Sequence, residues 1–192
     1  MTAPAAETDE AAGDRLRMEC ARAGDESAFA ALMERWEIPV KSLLARIVLN
    51  ASEAEELAQE TFVRLWRSRG DFRPGAAFRP WLFAIAVNLA RNRLRWWRRR
   101  PTVELGEWLE AGGDAVETAG GAGALERAER IASVQAAIAA LPADLREALV
   151  LFEFEELSQL EIAAALGTTP KAVESRVARA RAKLRRSLRP AL

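Results

Sequence analysis

The sequence predicts an all-α protein of two small helical domains joined by a flexible acidic linker, and three observations carry that prediction. Apolar residues recur at steps of three and four through most of the chain, and no apolar/polar alternation persists long enough for a strand. The stretch 102–124 (TVELGEWLEAGGDAVETAGGAGA) is acidic, glycine-rich and without an apolar period, which marks a linker. Beyond it, the order of caps and breakers spells a helix-turn-helix. The expected division is a disordered tail over 1–13, a first domain over 14–100, the linker over 101–124 and a second domain over 125–192.

The tail, MTAPAAETDEAAG, is mostly Ala, Glu, Thr and Pro. A short helix is expected from Arg15 to about Ala23, broken at Gly24 and restarted with Asp25 or Ser27 as cap. Phe29, Leu32, Met33 and Trp36, then Val40, Leu43, Leu44 and Ile47, keep one apolar stripe across Pro39, which is expected to bend or split that helix. Ser52 is the expected opening of the next helix, with Glu53, Glu55 and Glu56 suited to its first turns and Leu57, Thr61, Phe62, Leu65 and Trp66 facing inward. The segment GDFRPG (70–75) is a loop.

Phe78 to Arg100 forms the most unusual helix. Trp81, Leu82, Ile85, Ala86 and Leu89 give its first half one buried face. Its second half carries Arg91, Arg93, Arg95, Arg98, Arg99 and Arg100 interleaved with Asn92, Trp96 and Trp97. Guanidinium forks suit phosphate oxygens, and Trp and Asn stack on or hydrogen-bond to exposed bases. A solvated helix end with cations complementing the dipole is the alternative for such a run taken alone. In the linker, Trp108 and Leu109 are the bulky apolar pair, suited to docking or to an incidental contact.

In the second domain, Ile131, Val134, Ile138 and Leu141 mark one helix, and Leu145, Ala148, Leu149 and Phe152 the next, with Pro142 in its first turn. Ser158 and Glu161 form a capping-box pattern, Gly167 closes the helix, and Thr169-Pro170 opens the last one. Ile162, Ala163 and Leu166 are placed to pack on Val173 and Val177. The last helix is rich in Lys and Arg, and its N-terminal residues are the ones a helix-turn-helix inserts into a major groove.

Composition excludes several functions. Formal net charge is zero, but the charge is segregated: the linker is acidic, and 91–100 and 171–189 are basic. One cysteine and no histidine leave no internal disulfide, no Cys/His zinc cluster and no Ser–His triad. No cofactor is expected, nor any enzymatic activity, since no acid/base constellation clusters. The apolar runs are too short to span a bilayer, so the expected location is cytoplasmic. Cys20 is read as a buried small hydrophobe, with a redox switch as the alternative.

Taken together, SEAEELAQETFVRLWR (52–67), DFRPGAAFRPWLF (71–83), AIAVNLARNRLR (84–95) and LPADLREALVLFEFEELSQLEIAAALGTTPKAVESRVARARAKLR (141–185) resemble a bacterial RNA polymerase sigma factor of the extracytoplasmic-function (ECF) group. The likeness runs from Asp14 to Leu188. It implies a transcription initiation factor that binds core RNA polymerase, directs it to specific promoters and assists melting of the minus-ten element. Glu56, Gln59, Glu60 and Arg64 correspond to the polymerase-docking helix, where carboxylates suit a basic coiled coil. Phe72, Arg73, Arg79, Asn88, Arg91, Asn92 and Arg95 correspond to the minus-ten surface, with Asn88 at the flipped base and Trp81 in the core.

Thr169, Lys171, Glu174, Ser175, Arg176 and Arg179 correspond to the minus-thirty-five reading end. Glu174 departs from the basic residue of some relatives: it either accepts from cytosine N4 or pairs with Lys171. FEFEEL (152–157) is more acidic than many family versions, with tuning of flap or anti-sigma contact as its possible meanings. The family also implies an anti-sigma partner whose binding closes the two domains on each other and hides the polymerase and DNA surfaces, and a linker that runs through the polymerase cleft as an RNA mimic or a plain tether. A stand-alone helix-turn-helix regulator is the competing hypothesis, and predicts tight duplex binding without polymerase.

Overall fold

The computed structural model describes residues 9–99 and 124–188, so the expected linker, including Trp108 and Leu109, lies outside the described residues apart from Ala124. All regular structure among the described residues is helical: α1 (Asp9–Arg22), α2 (Glu26–Val48), α3 (Ala51–Arg67), a 3₁₀ turn (Arg69–Asp71), α4 (Phe78–Arg99), α5 (Ala124–Ala139), α6 (Ala143–Glu153), α7 (Gln159–Leu166) and α8 (Pro170–Ser187).

Short polar caps set the boundaries. Asp25 Oδ1 accepts from the Ser27 and Ala28 amides at 2.9 and 3.0 Å and starts α2. These bonds hold the Asp25 carboxyl below its ordinary range, the Ala28 amide contributing most. Leu49 turns the chain in the left-handed region (φ 61°), and Asn50 then caps α3 by accepting from the Glu53 amide at 2.9 Å. That tight turn folds α3 back along α2. The expected cap, Ser52, is already inside α3.

Two other expectations shift. The first helix starts at Asp9, ahead of Arg15, because acidic residues favour its first turn and tertiary bonds tie it down. Arg35 meets both Glu10 (2.8 Å) and the buried Asp14 (3.2 Å), and Trp36 donates to Asp14 at 3.0 Å. Pro39 does not split its helix: α2 runs unbroken through it for 23 residues. Val40, Leu43 and Leu44 are fully buried immediately after the proline, so apolar packing carries the helix past the missing amide.

The core of the first region is aromatic. Trp36 meets Phe78 and Phe83 edge-on at 6.1 and 5.7 Å, and Phe72 lies 5.1 Å from Trp81. In the second region Ser158 and Glu161 complete a reciprocal capping box, Gly167 closes α7 at φ 60°, and Thr169 accepts from the Ala172 amide above Pro170. Ile138, Leu141, Leu145, Leu149 and Ala180 make a small cluster among α5, α6 and α8. Ile131 and Val134, expected on the same inward stripe, are 37% and 40% exposed, because the cluster reaches only the last turns of α5.

The two regions also pack on each other. A single apolar core runs from Met18 through Ala90 and continues into Ala148, Val150, Leu151, Leu157, Ile162, Ala163 and Leu166. It places α7 against α4 and α6 against α2. Arg146, 6% exposed, spans this junction: its guanidinium donates to Ile47 O (3.0 Å), Ala139 O (2.9 Å) and Leu141 O (3.1 Å). These carbonyls lie at the C-terminal ends of α2 and α5, where helix carbonyls lack intrahelical partners and a cation complements both dipoles.

Candidate functional site

Three surfaces hold the residues singled out from the sequence. The first is the outer face of α2 and α3. A groove of about 700 Å³ opens there, floored by Phe29, Met33, Phe62, Val63 and Trp66 and rimmed by Glu37, Lys41, Glu55, Gln59 and Arg67. The Phe29 and Trp66 rings sit 4.8 Å apart along it, and Met33 and Val63 are 39% and 41% exposed. Met33, expected to face inward, instead lines this groove. Gln59 stands at its rim, while Glu60 and Arg64 hold one another at 2.8 Å and Glu56 approaches Arg93 at 3.7 Å. Val63 was not singled out from the sequence, although its place just off the inward face of α3 is a signal for it; the exposure of Met33 had none.

The second surface is α4 and the loop before it. Asn88 is exposed on the outer side of α4 between the buried Val87 and Leu89, and Asn92 and Arg95, also exposed, hydrogen-bond to each other. Arg73 is exposed in the loop. Phe72 is 1% exposed within the aromatic core, so its side chain is not available to a nucleic acid in this arrangement. Packing between Phe78 and Trp81 takes it inward, which a loop position did not reveal. Trp81 is half-buried on the core side, and Trp96 is 41% exposed while Trp97 packs against the core. Arg93, which was not singled out, pairs with Glu53 and Glu56 of α3.

Arg79 and Arg91 point at the second region. Arg91 binds Glu147 with two nitrogens, each at 2.8 Å, and donates to Leu166 O at 2.9 Å. Arg79 donates to Glu155 O and stands 3.7 Å from the Glu155 carboxylate. Burial pushes both carboxyls above their ordinary range. At Glu147 the rise is opposed by Arg91 and Arg176 and reinforced by Asp144; at Glu155 it is opposed by Arg79 and Arg46. Burial likewise lowers the Arg146 pKa, against the opposing pull of Glu147.

The third surface is the N-terminal half of α8. Lys171, Glu174, Ser175 and Arg179 are exposed along it, with Thr169 committed to its cap. Lys171 Nζ bonds Glu174 at 2.9 Å, so the intrahelical pair is the arrangement seen. Arg176 departs from the row: it is half-buried and turned toward Asp144 at 3.9 Å. Cys20 is exposed rather than buried. Among the described residues, no group of three or more His, Cys, Asp or Glu side chains could hold a metal ion, and no helix is long and apolar enough to cross a membrane.

Comparison with known proteins agrees with this layout. Residues 32–100 match the family model described as sigma-70 region 2, and residues 131–184 match sigma-70, region 4. The RNA polymerase sigma-H factor of Pseudomonas aeruginosa is 37% identical over 184 residues, covering 93% of this chain and 95% of its own. The ECF RNA polymerase sigma-E factor of Escherichia coli is 34% identical, covering 92% and 95%. Among solved structures, that of CnrH in complex with the cytosolic domain of CnrY is similar at a TM-score of 0.67 and 32% identity, over 92% of this chain and 97% of that one. A sigma factor of Bartonella quintana in complex with the anti-sigma factor NepR shares the fold at a TM-score of 0.64 and 24% identity, over 85% and 98%. With both family regions in order, and relatives alike over nearly their whole length, this chain is a member of the ECF group of RNA polymerase sigma factors, which act in transcription initiation.

Proposed function

We propose that this sigma factor docks on core RNA polymerase through α3, reads the minus-thirty-five element through α8 and captures the melted minus-ten strand on α4. The observation that carries it is the division of α4. One face is locked in the core from Phe78 as far as Ala90, while Asn88, Asn92 and Arg95 stand exposed on another side of the helix. An amide held rigidly beside a guanidinium suits an unstacked base and its phosphate, and a rigid helix positions both. Arg73, Arg79 and Arg91 extend this surface toward the strand's backbone. Gln59, Glu60, Glu56 and Arg64 form the polymerase contact beside the apolar groove, and Lys171, Glu174, Ser175, Arg176 and Arg179 the duplex contact, with Thr169 positioning their helix.

Melting on this reading is driven by binding energy and the chain performs no catalysis. The site of action is the cytoplasm. CnrH is solved with a protein partner, and this chain is proposed to take an anti-sigma protein of its own.

The test is gel filtration with bacterial core polymerase, followed by a promoter-opening assay. Glu60→Arg is expected to weaken assembly with core. Asn88→Ala is expected to assemble normally and open promoters poorly. Wild-type behaviour of both variants in both assays would overturn these assignments. Failure to bind core, with tight binding to duplex DNA alone, would favour the stand-alone regulator.

A further inference from the structure

The loop that carries Arg73 is held by a helix far from it in sequence. Met18 and Ala21 fix α1 in the core, and α1 packs on both α4 and the 3₁₀ turn. From α1, Glu19 Oε1 accepts from the Gly75 amide at 3.0 Å, and Arg22 Nε donates to Gly70 O at 3.4 Å. Residues three apart share one helix face, so a single face of α1 reaches both glycines that bound GDFRPG. Between those ends Phe72 is sunk among Phe78 and Trp81, and the Ala76 amide closes a turn on Arg73 O at 3.0 Å. The segment is thus pinned at both ends and at Phe72, and Arg73 is left exposed beyond the pins.

We propose that Glu19 and Arg22 are positioning residues for the minus-ten contact, bracing the 70–75 loop so that Arg73 meets the melted strand's backbone from one fixed place. This rests on the reading of the loop and α4 as the minus-ten surface. Gly75 takes φ 76°, one of many conformations open to a glycine, and the bond to Glu19 selects it. The selection is firm because the acceptor is ionised and is itself oriented by Arg15, one turn back at 3.6 Å. A guanidinium on an unbraced loop would have to be ordered at the moment of binding, and apparent affinity falls by the fraction of loops already in place. Glu19 has the wrong charge for a direct contact with DNA. On charge alone its removal would tighten strand binding, whereas loss of the brace loosens it. The two accounts therefore differ in sign.

The test uses holoenzyme reconstituted from the full chain and bacterial core polymerase. The probe is a fluorescent single-stranded oligonucleotide selected from a randomised library by the wild-type holoenzyme, read by anisotropy. Glu19→Ala is expected to assemble with core normally and to bind the strand about tenfold more weakly, as for a loop in place one time in ten. Glu19→Gln loses the charge but keeps an oxygen acceptor for the Gly75 amide, and is expected to bind close to wild type. Gly75→Ala puts a methyl group into open space at a φ that alanine disfavours, and is expected to weaken binding as Glu19→Ala does. Arg73→Ala is expected to weaken binding in the wild type and to add little in the Glu19→Ala background, since a displaced guanidinium has less to lose. Circular dichroism establishes that each variant is folded, and Gly75→Ala serves if Glu19→Ala is not.

Unchanged or tighter strand binding by folded Glu19→Ala, no rescue by Glu19→Gln, or an equal cost of Arg73→Ala in both backgrounds would each overturn the bracing role alone. Wild-type binding by Arg73→Ala on its own would overturn the minus-ten reading of the loop, and the proposal with it.

Discussion

Replacement of Arg146 by methionine isolates the group that joins the two regions. Methionine keeps most of the apolar stem and removes the guanidinium, so Ile47 O, Ala139 O and Leu141 O lose their shared donor. Hydrogen bonds from a charged donor are each worth about 1.5–3 kcal/mol, but three bonds from one group do not add, and removal of a buried cation recovers desolvation energy. Burial is the larger influence on this guanidinium and lowers its pKa, which is the direction of that recovery. The neighbouring Glu147 also loses a favourable charge, which works the other way. The net loss expected is about 3 kcal/mol, within the range for breaking a buried charged contact on one side.

For a cooperative unit of this size that lowers Tm by about 6–12 °C. Lysine at the same position can reach one carbonyl at a time and is expected to recover less than half of the loss. Denaturant unfolding monitored by circular dichroism reads both variants. A methionine variant within about 1 kcal/mol of wild type would refute the reasoning, since the carbonyls would then have needed no buried donor.

Other expectations follow from single features. Ser158→Ala removes one half of the capping box and should cost about 1 kcal/mol by denaturant unfolding, with weaker duplex binding because α7 supports α8. Glu156 is exposed at φ 49°, so Glu156→Gly should stabilise by about 0.5–1 kcal/mol, read as a rise in the unfolding midpoint. Glu147 and Glu155 have raised pKa values, so their contribution to the closed fold is complete below the ordinary value of 4.5 and is lost as pH climbs through the raised ones. The wild type should therefore fall increasingly behind Glu147→Gln/Glu155→Gln in Tm as pH rises above 4.5. Asp25 has the opposite sign: its cap contributes above 3.8 and is lost as pH falls through its lowered value, so Asp25→Ala should matter less in strong acid.

Local features were legible in the sequence because local rules decide them. Ser158 with Glu161, Gly167, and Thr169 with Pro170 announced α7, its turn and α8 before any tertiary contact was known. The pair between Lys171 and Glu174 followed from helix spacing. The burial of Phe72 was not legible because a loop aromatic is placed by its neighbours, here Phe78 and Trp81, and not by its own segment. The bond from Arg91 to Glu147 joins residues 56 apart, and no periodicity reaches that far. Arg176 looked like one more member of a basic row, yet it is half-buried and drawn toward Asp144. The split allowed for at Pro39 does not occur, because the burial that follows it offsets a penalty fixed at one residue.

Because Ile162, Ala163 and Leu166 belong to a core that extends through α4 and α8 alike, their side chains are fitted to two partners at once. A change tolerated by one neighbour is filtered again by the other. Variation across descendants of this chain should thus be scarce on the inner face of α7 and plentiful at Lys171, Glu174, Ser175 and Arg179, which face outward. If α8 reads promoter DNA as proposed, promoter preference can drift rapidly on such a scaffold while the coupling between its halves is inherited almost unchanged.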